Sequence, residues 1–222
     1  TPDMLADIVT RIKKAAPAIA VTLSCGEFPA EAYQQFRTAG CDRYLLKHET
    51  SDPKLYAALH PDSCLEERVR CLKDIKKAGL ETGGGFMIGL PGQTAATIAD
   101  DLLLLRSIPC DMAGIGPFLP HPDTPLGTEP HGSAMLTLRA VALARLLLPH
   151  ANLPVTTALG VLDRAAADRV YESGGNVVMR KVTPSRLRKL YQIYPAEFSE
   201  TTIAEGRRQL EEELRNRGKT PV

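Results

Sequence analysis

The sequence predicts an α/β fold built on a parallel sheet. Short apolar runs alternate with amphipathic helical segments along most of the chain, and the runs read as apolar on both faces, as strands covered by helices do. Polar residues also gather where the apolar runs end, and a parallel βα protein binds its ligand at the carboxyl ends of its strands. Strict alternation of strand and helix implies right-handed βαβ crossovers. Six units on one sheet fit either a doubly wound fold or an incomplete barrel. A full (β/α)8 barrel takes about 250 residues or a little less, against the 222 present.

Asp3 is placed to cap a first helix whose apolar stripe is Leu5, Ile8, Val9 and Ile12. Residues 19–24 read as a buried strand, followed by a helix from about 30 to 39 that ends at Gly40. Residues 43–48 form the next strand. Ser63, three residues before Glu66, suggests a capping box, and Leu65, Val69, Leu72 and Ile75 follow at helical spacing until Gly79. A third strand spans 82–89 with a helix over 94–106, and a fourth spans 111–118. After a long loop comes an almost wholly apolar helix, 136–148. Residues 154–158 make a fifth strand with a helix over 163–173, and 176–179 make a sixth with a helix over 185–194. Beyond Pro195 the chain turns charged, and one more helix is expected from 202 to 217, with Ile203, Leu210 and Leu214 available to dock it. The expected organisation is therefore a barrel portion over 1–195 and a charged helical extension over 196–222.

Hydrophobic residues make up 44% and charged residues 24%, and 27 Lys and Arg nearly balance 26 Asp and Glu. No net field favours nucleic acid or an anionic membrane. No run approaches the roughly 18 uncharged apolar residues of a membrane span, and no signal peptide opens the chain. The chain begins at Thr1 rather than Met, which reads most simply as a piece of something longer. The cysteines Cys25, Cys41, Cys64, Cys71 and Cys110 are odd in number and contain no CxxC pair. That argues against a disulfide framework, fits a reducing cytoplasm, and gives no metal site in this chain.

The strand-end residues are Thr22, Ser24 and Glu27, then Arg43, Lys47, His48 and Glu49, then Thr156 and Thr157, then Met179. Any single Ser, Thr or Glu among them is equally suited to capping the next helix. Glu49 could accept from a ribose diol. Arg68 could fork onto a carboxylate, or form an ordinary surface pair with Glu66, Glu67 or Asp52. Gly83-Gly-Gly85 lies inside a strand without a following GK[ST], so close backbone packing suits it better than a phosphate loop. The backbone of the Gly89–Gly92 turn could bind an adenine edge or serve as a plain turn. His121 and Asp123, in the stiff loop 117–125, fall short of a metal site and read as loop contacts. No Ser–His–Asp or Cys–His order appears, and no residue is assigned as catalytic.

Four stretches resemble one family: residues 21–27 (VTLSCGE), 42–50 (DRYLLKHET), 85–94 (GFMIGLPGQT) and 114–126 (GIGPFLPHPDTPL). Residues 154–158 and 190–195 agree in order and separation. Across about residues 3 to 195 the chain resembles the HydE family of FeFe-hydrogenase maturases, in the biotin synthase and methylornithine synthase branch of the radical S-adenosylmethionine (SAM) superfamily. The resemblance implies a partial (β/α)8 barrel, with the six strands corresponding to strands 3–8, plus the C-terminal helix. It implies SAM and a 4Fe–4S cluster as cofactors, the cluster held by a CxxxCxxC loop whose ligands are expected upstream of this chain. Such enzymes reductively cleave SAM to methionine and a 5′-deoxyadenosyl radical, here in the service of hydrogenase H-cluster assembly. By motif, Ser24, Glu49, Arg68, Ile88 and Gly89 match SAM-contacting positions. Thr22, Arg43, Lys47, Met112, Thr156, Thr157, Met179, Tyr191 and Tyr194 match the substrate cavity. Lys47 stands where related chains often carry Arg, keeping the charge without the planar fork. The implied partners are a small iron-containing precursor or other small-molecule substrate, an electron-donor protein and other hydrogenase maturases. The rival readings are another enzyme of the same branch, or a non-catalytic partial-barrel scaffold.

Overall fold

The computed structural model describes residues 1–180, 182–188, 190, 194 and 202–221. The first elements are helix α1 (Pro2–Ala15), strand β1 (Thr22–Leu23), α2 (Ala30–Thr38), β2 (Arg43–Leu45), α3 (Pro53–Leu59), α4 (Leu65–Lys77), β3 (Glu81–Ile88) and α5 (Ala95–Ser107). They continue with β4 (Met112–Pro117), α6 (Ala134–Leu147), β5 (Pro154–Val155), α7 (Thr157–Leu162), α8 (Arg164–Arg169), β6 (Val177–Val178), α9 (Ser185–Arg188) and α10 (Ile203–Asn216). Strands β1 to β4 form one parallel sheet in sequence order, and β5 and β6 form a parallel pair. A bridge from Met112 to Asn152 joins the two, with Ala113 N donating to Asn152 O at 3.0 Å and Asn152 N to Asp111 O at 2.8 Å. The expected parallel α/β architecture is present.

Three local expectations are corrected. The cap of α1 is Thr1, whose hydroxyl accepts from Met4 N, while Asp3 instead accepts from Gln35 on α2 at 2.7 Å. Pro2 stands at the first position, where a missing N–H costs nothing. Helix α4 is capped by Cys64 without a side-chain bond, because the Ser63 hydroxyl is drawn away to Glu27. Helix α3 was not expected at all. Asp52 caps it by accepting from Lys54 N and Leu55 N, with Pro53 following, a start signal present in the sequence. The capping box found is at α10, between Thr202 and Glu205. On that helix Leu214 is buried and Leu210 half-buried, whereas Ile203 is exposed.

The sheet faces are also unequal. Along β2 and the residues after it, Tyr44, Leu46 and His48 are buried, whereas Arg43, Leu45, Lys47 and Glu49 are half-buried. The buried face packs under the helices, in a core that joins Tyr44, Phe86 and Ile115 to Phe36, Leu72, Ile75 and Leu105. The opposite face is floored by glycine. A Cβ on Gly114 would stand 3.8 Å from the Lys47 side chain, and one on Gly116 would stand 2.7 Å from Thr156 Oγ1. Along β2 and the residues after it the chain is therefore not apolar on both sides, since Arg43, Lys47 and Glu49 alternate with buried positions, whereas β3 and β4 are buried along almost their whole length.

Gly132 seals the carboxyl ends of β3 and β4. Its N–H donates to Phe118 O at 2.8 Å, and Phe118 N in turn donates to Ile88 O at 2.8 Å. A Cβ there would lie 1.9 Å from Ile88 O, a backbone atom that cannot swing aside. Gly132→Ala should cost about 3 kcal/mol, the size of a severe overpacking change. Gly206 in α10 meets nothing within 4 Å, so Gly206→Ala should be neutral or stabilise by up to about 1 kcal/mol. Urea midpoints of the two variants should move in opposite directions, and a Gly132→Ala midpoint equal to the parent's would refute the packing described.

Candidate functional site

The loop after β1 is held by two tyrosines from an aromatic cluster. Phe28 and Phe36 meet edge to face at 5.5 Å, and Tyr33 and Tyr44 at 5.1 Å. Tyr44 OH donates to Gly26 O at 2.8 Å and Phe28 N donates to Tyr33 OH at 3.0 Å. Burial raises both phenol pKa values above the ordinary tyrosine range, so they remain neutral props. The loop they fix carries Ser24, Cys25 and Glu27.

Glu27 meets Arg68, which projects from α4. Glu27 Oε1 stands 2.8 Å from Arg68 Nε, the same Nε donates to Tyr56 OH at 2.9 Å, and Ser63 Oγ donates to Glu27 Oε1 at 3.1 Å. Arg68 is thus held at one edge, and its terminal nitrogens bond no described residue. Neither Glu66, Glu67 nor Asp52 is its partner; Glu67 pairs with Arg70 instead.

Glu49 follows β2 in an unusual conformation. Its φ is +63°, and it is the one non-glycine residue in this region of backbone space among the described residues. For a residue with a Cβ that conformation carries about 1–2 kcal/mol of local cost. Its N–H donates to Gly85 O at 3.0 Å, Met87 N donates to its carbonyl at 3.0 Å, and its carboxylate pairs with Lys47 Nζ at 3.0 Å.

His60, at the end of α3, ties the two halves together. Burial lowers its pKa, the Arg68 charge lowers it further, and Glu49 and Glu27 raise it, so all these groups share one electrostatic neighbourhood. Its Nε2 is buried without a partner and its ring lies 4.7 Å from Tyr56. Burial raises the Tyr194 pKa first, and the Glu49 charge raises it further. The arrangement presents a guanidinium, a carboxylate beside an ammonium, and a neutral imidazole at the carboxyl ends of parallel strands. Such a set can hold a zwitterionic molecule with a carboxylate at one end and a diol at the other.

The remaining expected residues are more scattered. Arg43 opens β2 rather than ending it and pairs with Glu81 at 2.5 Å, at the amino ends of the strands. Met112 opens β4. Thr22 and Ser24 are exposed along β1, and Met179 and Thr157 are exposed farther round. Thr156 caps α7 by accepting from Leu159 N while standing over Gly116. The Ile88 side chain is in the core, and Gly89 N is already taken by Gln93 Oε1 at 2.6 Å. Tyr191 lies outside the described residues. His121 accepts from Asp123 N through Nδ1, a loop contact. Sequence reading passed over Tyr56 and His60, which depend on the unexpected α3, and took Ser63 for a helix cap.

A parallel α/β fold with this polar constellation at its strand ends defines a ligand-binding βα protein, and the chain belongs to the radical SAM superfamily, with residues 1–105 matching that family. It is 51% identical over 197 residues to the [FeFe] hydrogenase maturase subunit HydE of Thermotoga maritima, covering 89% of this chain and 56% of that one. It is 30% identical to a biotin synthase of a Sulfurihydrogenibium species, over 68% of this chain and 44% of that one. The chain thus spans about half the length of the curated relatives it matches. Its fold is that of the crystal structure of methylornithine synthase (PylB), at TM-score 0.76 and 20% identity, over all of this chain and 64% of that one.

Radical SAM proteins use SAM and a 4Fe–4S cluster. The polar ends of SAM fit these groups, since the Arg68 terminal nitrogens bond no described residue and the buried His60 Nε2 has no partner. The cluster does not fit the cysteines. Cys41, Cys71 and Cys110 are buried, Cys25 and Cys64 are exposed, and among the described residues no three His, Cys, Asp or Glu stand close enough to hold a metal.

Proposed function

We propose that this chain is part of a radical SAM enzyme of the HydE kind, acting in assembly of the FeFe-hydrogenase H-cluster. The observation that carries the reading is that Arg68 and His60 both pack on Tyr56, with Glu49 held at the carboxyl end of β2, in a chain half-identical to a HydE. SAM, when bound, supplies the 5′-deoxyadenosyl group that this family releases by reduction. Arg68 takes the methionine carboxylate through its terminal nitrogens, and Glu27 with Tyr56 holds the other edge so that the fork cannot rotate away. Glu49 accepts from the ribose hydroxyls, and Lys47, 3.0 Å from its carboxylate, holds it in place. Ser24 closes the β1 side, and the backbone of Ile88 and Gly89 borders the adenine. Of the positions that match the substrate cavity by motif, Thr22, Lys47, Thr156, Thr157, Met179 and Tyr194 are the ones assigned to the space for a small, iron-containing substrate, while Arg43 and Met112 stand at the amino ends of their strands. The six strands stand for strands 3–8 of a (β/α)8 barrel, with 1–195 as the barrel portion and 196–222 as a helical extension. Cluster ligands come from a preceding segment, electrons from a donor protein, and the work is shared with other maturases in the cytoplasm.

Glu49→Gln and Arg68→Ala should each weaken SAM binding by about 1–3 kcal/mol in the cluster-bearing protein, the range for losing a charge-assisted hydrogen bond. Equilibrium dialysis with labelled SAM measures it. Unchanged affinity in both variants would remove the assignment.

A further inference from the structure

We infer that Asp101 and His48 are positioning residues that hold Glu49 in its left-handed conformation, a device resting on the reading of Glu49 as a SAM contact. Both side chains are 0% exposed, and Asp101 comes from α5, far from Glu49 in sequence. A carboxylate buried beside Leu102 and Leu105 is costly unless its bonds compensate. One oxygen, Oδ1, takes two contacts. It accepts from Ser51 N at 2.5 Å and stands 3.2 Å from His48 Nε2. Those two partners flank Glu49 in the chain. His48 N and Glu49 N both donate to Gly85 O, at 2.9 and 3.0 Å, and Thr50 N turns back to His48 O at 2.8 Å. The backbone is therefore fixed to β3 before Glu49 and to α5 after it. Rotation of Glu49 out of the left-handed region would carry Ser51 N away from Asp101.

The network is not arranged for stability alone. Asp101 Oδ2 and His48 Nδ1 are buried without hydrogen-bond partners, so half of each group's bonding capacity is unused. A core residue selected only to pack against Leu102 and Leu105 would be aliphatic. What the carboxylate adds is a fixed anchor for one turn, and that turn aims the Glu49 side chain toward Lys47.

The test combines amide exchange on the 222-residue chain with SAM affinity in the cluster-bearing protein. In Asp101→Ala, exchange over residues 48–52 should accelerate by about tenfold or more, and SAM affinity should fall about tenfold, as expected when buried donors lose a charged acceptor. Exchange across Glu81–Ile88 should stay at the parent rate. Asp101→Asn keeps an oxygen for Ser51 N, so its loss of affinity should stay within about threefold. Asp101→Leu, which fills the volume without an acceptor for Ser51 N, should lose as much affinity as Asp101→Ala, and a general packing defect would not produce that. If Asp101→Ala does not fold, His48→Gln serves, with accelerated exchange over 48–52 expected alone. Parent-like exchange over 48–52 in the folded variants would overturn the device. Glu49→Ala separates the two claims: if it leaves SAM affinity intact, the SAM contact fails, while the exchange result still judges the clamp by itself.

Discussion

Anaerobic reconstitution of the 222-residue chain with iron and sulfide should leave it without a stoichiometric 4Fe–4S cluster. Three thiolates must converge on such a cluster, and the thiolate rather than the thiol is the ligand. Three of the five cysteines are core groups. Burial pushes the Cys110 thiol up to about 12 and raises Cys41 as well, so each resists the ionisation that a ligand needs. Cys71 is likewise enclosed, with its sulfur 3.5 Å from Phe28 O. Cys25 and Cys64 are exposed, but two thiols leave a cluster short of one ligand. Iron and sulfide analysis with electron paramagnetic resonance reads the outcome. A full complement of iron together with a SAM-sensitive signal would show that the chain rearranges to gather its own ligands.

The parallel strands and most helix positions were legible from period and punctuation, because apolar runs bounded by Gly and Pro leave few alternatives, whereas the sequential strand order and the split into four strands and two were not. The resemblance motifs also singled out Glu49 and Arg68, which the proposed function assigns to SAM. What escaped was set by tertiary competition. Ser63 has the spacing of a helix cap, yet a carboxylate 36 residues earlier in the chain binds it more strongly than the α4 backbone does. Arg68 has acidic neighbours on its own helix, but its partner is Glu27, in a loop placed by tyrosine hydroxyls. Arg43 begins an apolar run and was grouped with the strand ends, whereas its side chain meets Glu81 at the opposite end of the sheet. The strands read as apolar on both faces, whereas Arg43, Lys47 and Glu49 are half-buried between the buried positions of β2 and the residues after it. Gly116 leaves room for Thr156, which a Cβ would meet at 2.7 Å, and period alone carries no sign of that.

On the proposed reading, placing the preceding strand–helix–strand before Thr1 should change both association state and chemistry at once. The exposed apolar surface says where it would pack. On α1, Met4, Ile8 and Ile12 are 56%, 41% and 39% exposed, and Ile19 beside β1 is 57% exposed. They lie along the side of the molecule where β1 is an edge strand, paired only with β2. Unpaired backbone beside apolar side chains is an invitation to association. The addition should comprise about 70–110 residues, from two βα units of roughly 30 residues or more each plus a leader. It should bury α1's outer stripe, extend the sheet past Thr22, and bring its CxxxCxxC loop to the strand ends near Ser24. Three readouts follow together: monodispersity by light scattering, iron content, and 5′-deoxyadenosine released from SAM. Hydroxyl-radical footprinting supplies the structural check, since Met4 oxidation should drop severalfold when the segment is present. If Met4 stays equally reactive while iron and SAM cleavage appear, the added segment packs elsewhere and the assignment of these strands as 3–8 is wrong. If the chain alone is monomeric and folds cooperatively, and the longer protein gains neither iron nor SAM cleavage, the partial-barrel scaffold replaces the enzyme.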